Sequence, residues 1–136
     1  MANNRVPINY HTPPFPSLYE IFPTHGKDAY YLYYTEDIWR FTLWWTLIFY
    51  GASHLLVASW AVAMQCRNWK ACLAVPLVYM ILGGLEALLA GSIIGLVLGA
   101  VYEAGNFRMS TWIPFLWGGI NVLVLILSSF PMQGGL

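Results

Sequence analysis

Three polar side chains interrupt otherwise apolar stretches of the sequence, and their chemistry is the first question that the sequence raises. They are His54, Glu86 and Asn121, one in each of three long apolar segments. An ionised side chain at the centre of a membrane helix costs at least about 2.5–3.5 kcal/mol, so Glu86 is expected to be protonated, paired or facing water. Their similar depth predicts a hydrogen-bonded cluster, which would fix helix register, contact a lipid headgroup or a partner's helix, or relay protons or ions.

A stripe of small residues runs along the second apolar segment. Small residues four positions apart let another helix backbone approach closely and gain dispersion contacts. The stripe is therefore expected to pack on the other spans of this chain, or to seat a helix of another subunit. Because a four-residue spacing drifts by about 40° per step around a helix of 3.6 residues per turn, one stripe can serve two neighbours. Its members are Gly83, Ala87, Gly91, Gly95 and Gly99.

Nothing in the sequence resembles the active site of an enzyme. The H-E-x-x-H and G-x-S-x-G motifs are absent, and no two acids lie at helical spacing within an apolar segment. Cys66 and Cys72 flank a short turn and match no zinc or redox pattern; ordinary thiols or acylation sites are both consistent with their position. We predict no catalytic residue, no metal and no cofactor.

Composition assigns the chain to the integral membrane proteins. Hydrophobic residues make up 59% of it and charged residues 9%, against about 25% charged in an average soluble protein. The apolar segments, at about residues 41–64, 72–101 and 111–130, are long enough as helices to cross a hydrocarbon core of about 30 Å. Short polar turns join them, so neighbouring helices must run antiparallel. The predicted fold is all-α, with three transmembrane helices in an antiparallel bundle spanning residues 36–131.

The residues before the first span form a tail of different character. Five of the eight prolines lie within residues 1–29, and such a density prevents a helix. Residues 1–35 are therefore predicted to be an extended tail that lies on the membrane surface or over the turns, or that docks on a partner. Residues 132–136 form a short C-terminal tail. Aromatic side chains suited to the headgroup region surround the start of the first span: Tyr30, Tyr31, Tyr33, Tyr34 and Trp39.

Charge gives a partial guide to orientation and partners. Arg67 and Lys70 lie in the first turn, which the positive-inside rule places in the cytosol, although other basic residues lie near the opposite ends of the spans. We expect a lumenal N-terminus and a cytosolic C-terminus. No apolar stretch typical of a cleavable signal peptide occurs in residues 1–37, so the first span would act as a signal anchor. The chain has no basic stretch, which argues against nucleic acid as a partner.

The order of these features resembles the transmembrane protein 170 family over roughly residues 36–130, with the tail outside the match. The resemblance rests on an acidic pair and a tryptophan before the first span, the small-residue second span, a V-Y-x-A-G sequence at the second turn, and glycines with an asparagine in the third span. The residues concerned are Glu36, Asp37, Trp39, His54, Val101, Tyr102, Ala104, Gly105 and Asn121. The resemblance implies a multi-pass protein of the endoplasmic reticulum and nuclear envelope, associated with membrane shape and with bridge-like lipid-transfer proteins.

Three functions follow as hypotheses. The leading one is a non-enzymatic subunit that packs on the endoplasmic reticulum anchor of a larger, bridge-like lipid-transfer protein and supports the entry of membrane phospholipid. The second is a self-associating, membrane-shaping protein that forms a homo-oligomer. The third is a small proton-coupled transporter, which depends on His54 and Glu86 alone.

Overall fold

Three long helices make up most of the structure. The computed structural model of the chain describes residues 6–19, 29–65 and 69–130, with the backbone alone for Gln65, Trp69 and Ala71. Cys66 and the predicted C-terminal tail lie outside the described residues. The helices are α1 (Thr35–Gln65), α2 (Trp69–Ala104) and α3 (Trp112–Ser129), and the short strands are β1 (Tyr31–Leu32) and β2 (Met109–Ser110). Each helix is long and apolar enough to cross a membrane, which confirms the predicted three-span, all-α fold.

Helix α1 is the central element and packs on both other helices. Its first residue, Thr35, lies against Gly99 near the end of α2, and His54 lies against Gly83, so α1 and α2 run antiparallel. Trp45 contacts Gly118 of α3, and α3 runs parallel to α1. We call the end of the bundle where α1 begins the tail end, and the end where α1 finishes the turn end.

Helix α3 is too short to match its neighbours. It has 18 residues, against 31 in α1 and 36 in α2, and at about 1.5 Å per residue it spans about 27 Å. Its last residue, Ser129, reaches the level of Val57 on α1 and Tyr79 on α2, and the three line one cleft. Beyond that level, α1 and α2 are the only described helices, and they expose apolar side chains such as Trp60 and Leu73.

The strands close the tail end of the bundle. β1 and β2 pair antiparallel, with Tyr31 opposite Ser110 and Leu32 opposite Met109. Leu32 and Met109 are fully buried and form a small core with Ile38 and Phe41 of α1. The pairing ties the segment before α1 to the segment before α3, so it fixes where these two helices begin.

The described part of the N-terminal tail lies over this same end. Phe15 packs against the rings of Phe41 and Trp45, with ring centroids 5.5 and 5.1 Å apart. The hydroxyl of Thr111 donates a hydrogen bond of 2.8 Å to the carbonyl of Ser17, and the Trp112 indole donates one of 2.8 Å to the carbonyl of Tyr19. The described part of the tail thus rests on α1 and on the residues that begin α3.

Asp37 anchors the tail electrostatically. It is a buried carboxylate in the first turn of α1, and it accepts hydrogen bonds of 3.1 Å from the hydroxyls of Tyr10 and Thr12. Burial raises the pKa of the Tyr10 hydroxyl, and the neighbouring Asp37 charge raises it further. The phenol therefore keeps its proton, and its role as donor, across the physiological pH range.

Candidate functional site

The small-residue stripe of α2 is filled by α1 of the same chain. All five members are buried. A Cβ added at Gly95 would lie 3.0 Å from the Cα of Trp39, and one at Gly91 would lie 3.1 Å from the Cα of Leu43. The absence of side chains at these positions therefore lets the two backbones touch. Of the two expectations for the stripe, the structure supports packing within the chain, on one neighbour, and leaves no room there for another subunit's helix.

Asn121 holds α3 against α1. Its side-chain amide donates a hydrogen bond of 3.1 Å to the hydroxyl of Thr46, which donates its own hydrogen to the carbonyl of Thr42 at 2.8 Å. The hydroxyl of Tyr50 donates to the backbone carbonyl of Asn121 at 3.3 Å. Buried interhelical hydrogen bonds of this kind stabilise membrane helix pairs by about 0.6 kcal/mol on average. This corrects the predicted three-residue cluster, because Asn121 bonds to Thr46 and not to His54 or Glu86.

His54 and Glu86 do lie together, about two helical turns beyond the Asn121–Thr46 hydrogen bond in the direction of the turn end. The Nδ1 atom of His54 lies 2.8 Å from the carbonyl of Tyr50, and since a carbonyl only accepts, Nδ1 carries a hydrogen. The Nε2 atom then faces Glu86, with 4.0 Å between Nε2 and Oε2. That distance is longer than a hydrogen bond. Two complementary groups therefore face each other without engaging fully.

The position of the imidazole depends on a glycine. A Cβ added at Gly83 would lie 2.5–2.7 Å from three atoms of the His54 ring, so the ring lies flat against the backbone of α2. The ring of Tyr79 packs on its other side, with centroids 4.8 Å apart. His54 is consequently buried and held, whereas the Glu86 side chain opposite it is 56% exposed.

Glu86 faces an open cleft between the three helices at the turn end of the bundle. The cleft has a volume of about 400 Å³, within the range of about 300–1,000 Å³ typical of binding sites. Ser53 and His54 of α1 form its floor, and its walls are Glu86 of α2 and Leu125 and Ser129 of α3. We refer to it as the α2–α3 cleft. Most of its remaining surface is apolar.

An apolar groove continues from the cleft along α2 toward the turn end. Tyr79 and Leu82 belong to both, and the groove extends through Val78 to Val75 and Ala74. The groove has a volume of about 340 Å³ and no polar surface. The sequence predicted His54 and Glu86 as functional candidates, but it did not indicate Tyr79 or Ser129. Ser129 lines the cleft beside Tyr79 because α3 ends at this level.

The side chains of the cleft can bind a polar or cationic group. Within the described ranges, no group of three His, Cys, Asp or Glu side chains is placed to hold a metal ion. A carboxylate beside an imidazole can accept hydrogen bonds or pair with a cation, and the serine hydroxyls can accept further hydrogen bonds. The α2–α3 cleft is therefore suited to an occupant that is mostly apolar and carries one polar or cationic group.

The predicted interface aromatics have different roles. Tyr30 and Tyr34 are exposed at the tail end. The guanidinium of Arg108 lies 4.3 Å from the centre of the Tyr31 ring, and Tyr33 packs edge-on against Tyr10 of the tail. Trp39 lies against Gly95, so it belongs to the α1–α2 contact, a role that its position before the first span did not indicate.

The comparison with known families covers most of these elements. The family described as Transmembrane protein 170A/B-like matches residues 31–136, from β1 through the end of the chain. The chain belongs to the transmembrane protein 170 family. The small-residue stripe, His54, Glu86 and Asn121 all lie inside the matched region of this family member.

A relative in yeast extends the likeness beyond the matched region. YPR153W, an uncharacterized protein of Saccharomyces cerevisiae, is 36% identical to this family member over 134 residues, which cover 98% of this chain and 95% of the yeast protein. This alignment therefore includes the N-terminal tail. The resemblance described under the sequence analysis covered roughly residues 36–130 and did not include the tail. No solved structure matches the chain.

Proposed function

We propose that this chain is a non-enzymatic subunit of a larger lipid-transfer protein of the bridge-like class, anchored in the membrane of the endoplasmic reticulum. The observation that carries the proposal is the α2–α3 cleft, in which a mid-span carboxylate faces outward from the bundle. A half-exposed carboxylate inside a membrane is unfavourable by itself. An occupant that engages Glu86 removes this cost, which favours a protein that works by attachment.

The size of the chain supports a subunit role over an independent one. The cleft is open to the side of the bundle, and a volume of about 400 Å³ can hold part of a helix or a headgroup. A closed path for a whole phospholipid needs more protein than three helices provide. The bilayer end of such a path would therefore be completed by the larger partner, with this chain beside its membrane anchor and close to membrane phospholipid.

The proposed location and orientation follow from family resemblance and charge. We place the chain in the endoplasmic reticulum and nuclear envelope, with the tail end lumenal. Lys70 lies in the first turn of α2, at the turn end, and basic residues beside a span favour the cytosol. The docked tail would then lie on the lumenal surface, and the α2–α3 cleft would open in the cytosolic half of the membrane.

Depletion of the chain tests the proposal. Cells without it should deliver labelled phospholipid from the endoplasmic reticulum to the acceptor membrane more slowly, because the larger protein would lack its bilayer-side subunit. Re-expression of the wild-type chain is the control and should restore the rate. Delivery that is unchanged by depletion would refute the proposal.

A membrane-shaping role is the second candidate, and the unequal helix lengths favour it. Among the described residues, the bundle has three helices, the strand pair and the tail at one end, and two helices beyond the end of α3. Such a wedge-shaped cross-section would occupy more area in one leaflet than in the other. If this is the function, the purified chain reconstituted alone should change the diameter of vesicles as its density rises, as measured by electron microscopy.

A further inference from the structure

We infer that the α2–α3 cleft seats a transmembrane helix of a partner protein, and that this helix carries a lysine or arginine facing Glu86. The inference deepens the proposed function and rests on it, because it names the surface and the chemistry through which the larger subunit binds. It depends on four features of the cleft: a carboxyl group with no described Lys or Arg near it, the lack of other charged residues in the spans, the order of the polar and apolar parts, and the early end of α3.

The first feature is the lack of a cation for Glu86 within the described chain. Arg40 lies about 16 Å along the bundle from the level of Glu86, and Lys70 lies about 24 Å away along α2, at 1.5 Å per residue. The Nε2 atom of His54 lies 4.0 Å from Oε2 of Glu86, which is longer than a hydrogen bond. A charged side chain within a span faces the bundle interior or a water-filled cavity and commonly pairs with another charge or with backbone carbonyls. Among the described residues no Lys or Arg lies near Glu86, so a basic partner at this depth would come from outside them.

Two copies of this chain that meet cleft to cleft would not supply that partner. Glu86 is the sole Asp, Glu, Lys or Arg in residues 41–66, 71–102 and 111–136. Two copies that met through their clefts would bring two carboxylates together, and like charges in a low-dielectric site repel. Charge complementarity therefore favours a different protein with a basic side chain at this depth.

The order of polar and apolar parts along the cleft does not suit a lipid of the adjacent leaflet. The polar groups around Glu86 lie deeper in the bundle, and the apolar groove from Leu82 to Ala74 lies nearer the turn end. A lipid of the adjacent leaflet has its headgroup at the surface and its chains toward the middle, which is the reverse order. A helix has no such constraint, since its basic residue can lie at any point along an apolar face.

The shape of the site also suits a helix. The apolar groove and the cleft together extend along α2 from Ala74 to Glu86, a rise of 12 residues or about 18 Å, slightly more than three helical turns. Because α3 ends at Ser129, the groove beyond it is not covered by any described helix of this chain. A partner helix that packs there at the usual separation of about 8–10 Å would continue the bundle past the end of α3.

Charge reversal in intact complexes tests the inference. The chain, replaced in its own cells by Glu86→Lys, should retain less partner after purification in mild detergent, by about tenfold or more, because two cations would face each other. Val78→Trp should have a similar effect, since it fills the groove without a charge. Val97→Trp is the matched control, because Val97 lies on the same helix outside the cleft and is exposed to the same degree, 54% against 55% for Val78.

Two further results decide the matter. A photoreactive benzoylphenylalanine at Val78 should cross-link to an apolar partner segment that contains Lys or Arg, and replacement of that residue by Glu should restore binding to the Glu86→Lys chain. A cross-link to lipid or to a second copy, or a partner segment without a basic residue, would overturn the inference. If Glu86→Lys and Val78→Trp both retain the partner at the wild-type level, the inference fails while the subunit proposal stands. If the wild-type chain has no partner, both fail.

Discussion

Substitution of Gly95 by alanine probes the contact between α1 and α2 most sharply. The added Cβ would lie 3.0 Å from the Cα and 3.1 Å from the carbonyl oxygen of Trp39. Because these are backbone atoms, they cannot rotate away, and the two helices must separate. Overpacking of this kind costs about 1–3 kcal/mol, whereas alanine gains up to about 1 kcal/mol over glycine in helix propensity.

Gly84→Ala is the control that isolates the clash. Gly84 lies on the same helix, and a Cβ there would have no atom within 4 Å, so it gains propensity without overpacking. The free energy of unfolding of Gly95→Ala should therefore lie about 1–3 kcal/mol below that of Gly84→Ala. Reversible unfolding in mixed micelles, followed by helical circular dichroism, measures the difference. Equal stabilities within about 0.5 kcal/mol would refute the close packing of α1 on the stripe.

Three further predictions follow from the structure. Asn121→Leu should lower the free energy of unfolding by about 0.6–1.7 kcal/mol, because Thr46 loses its interhelical donor; Leu123→Ala on the exposed face of α3 should lower it less, and the reverse order would contradict the assigned hydrogen bond. Phe15→Ala should speed chymotrypsin cleavage of the tail in permeabilised membranes, which admit the protease to both sides, since Phe15 packs on Phe41 and Trp45. Ile8→Ala should not, because Ile8 is fully exposed; equal cleavage rates for the two variants would refute tail docking. Tags at the two termini should be protected on opposite sides of the membrane, and protection of both on one side would contradict three spans.

The number of spans and the candidate residues could be predicted because each depends on local sequence. Hydropathy alone defines an apolar segment long enough to cross a bilayer, and polar residues within it are few. The small residues of α2 likewise predict a close helix contact. Their spacing does not say which helix makes the contact, and so the choice of α1 over another subunit needed the structure.

Other features depend on how far each helix extends. Asn121 and Glu86 are both central in their own segments, yet α3 is offset along α1 so that Asn121 reaches Thr46 and Ser129 reaches the level of Val57. This offset, which composition does not encode, separates the polar cluster and opens the α2–α3 cleft. The position of the tail also could not be predicted from the sequence. Its prolines exclude a helix, but they do not determine the surface on which Phe15 docks.

The mass of the native complex tests the central claim most directly. The chain should be purified at its natural level from its own cells in two or more mild detergents, and the mass and composition of the particle should be measured by native mass spectrometry. The account predicts a stoichiometric complex with one much larger membrane-anchored protein. A particle with the mass of a single chain in every detergent, or one built only of copies of this chain, would contradict it.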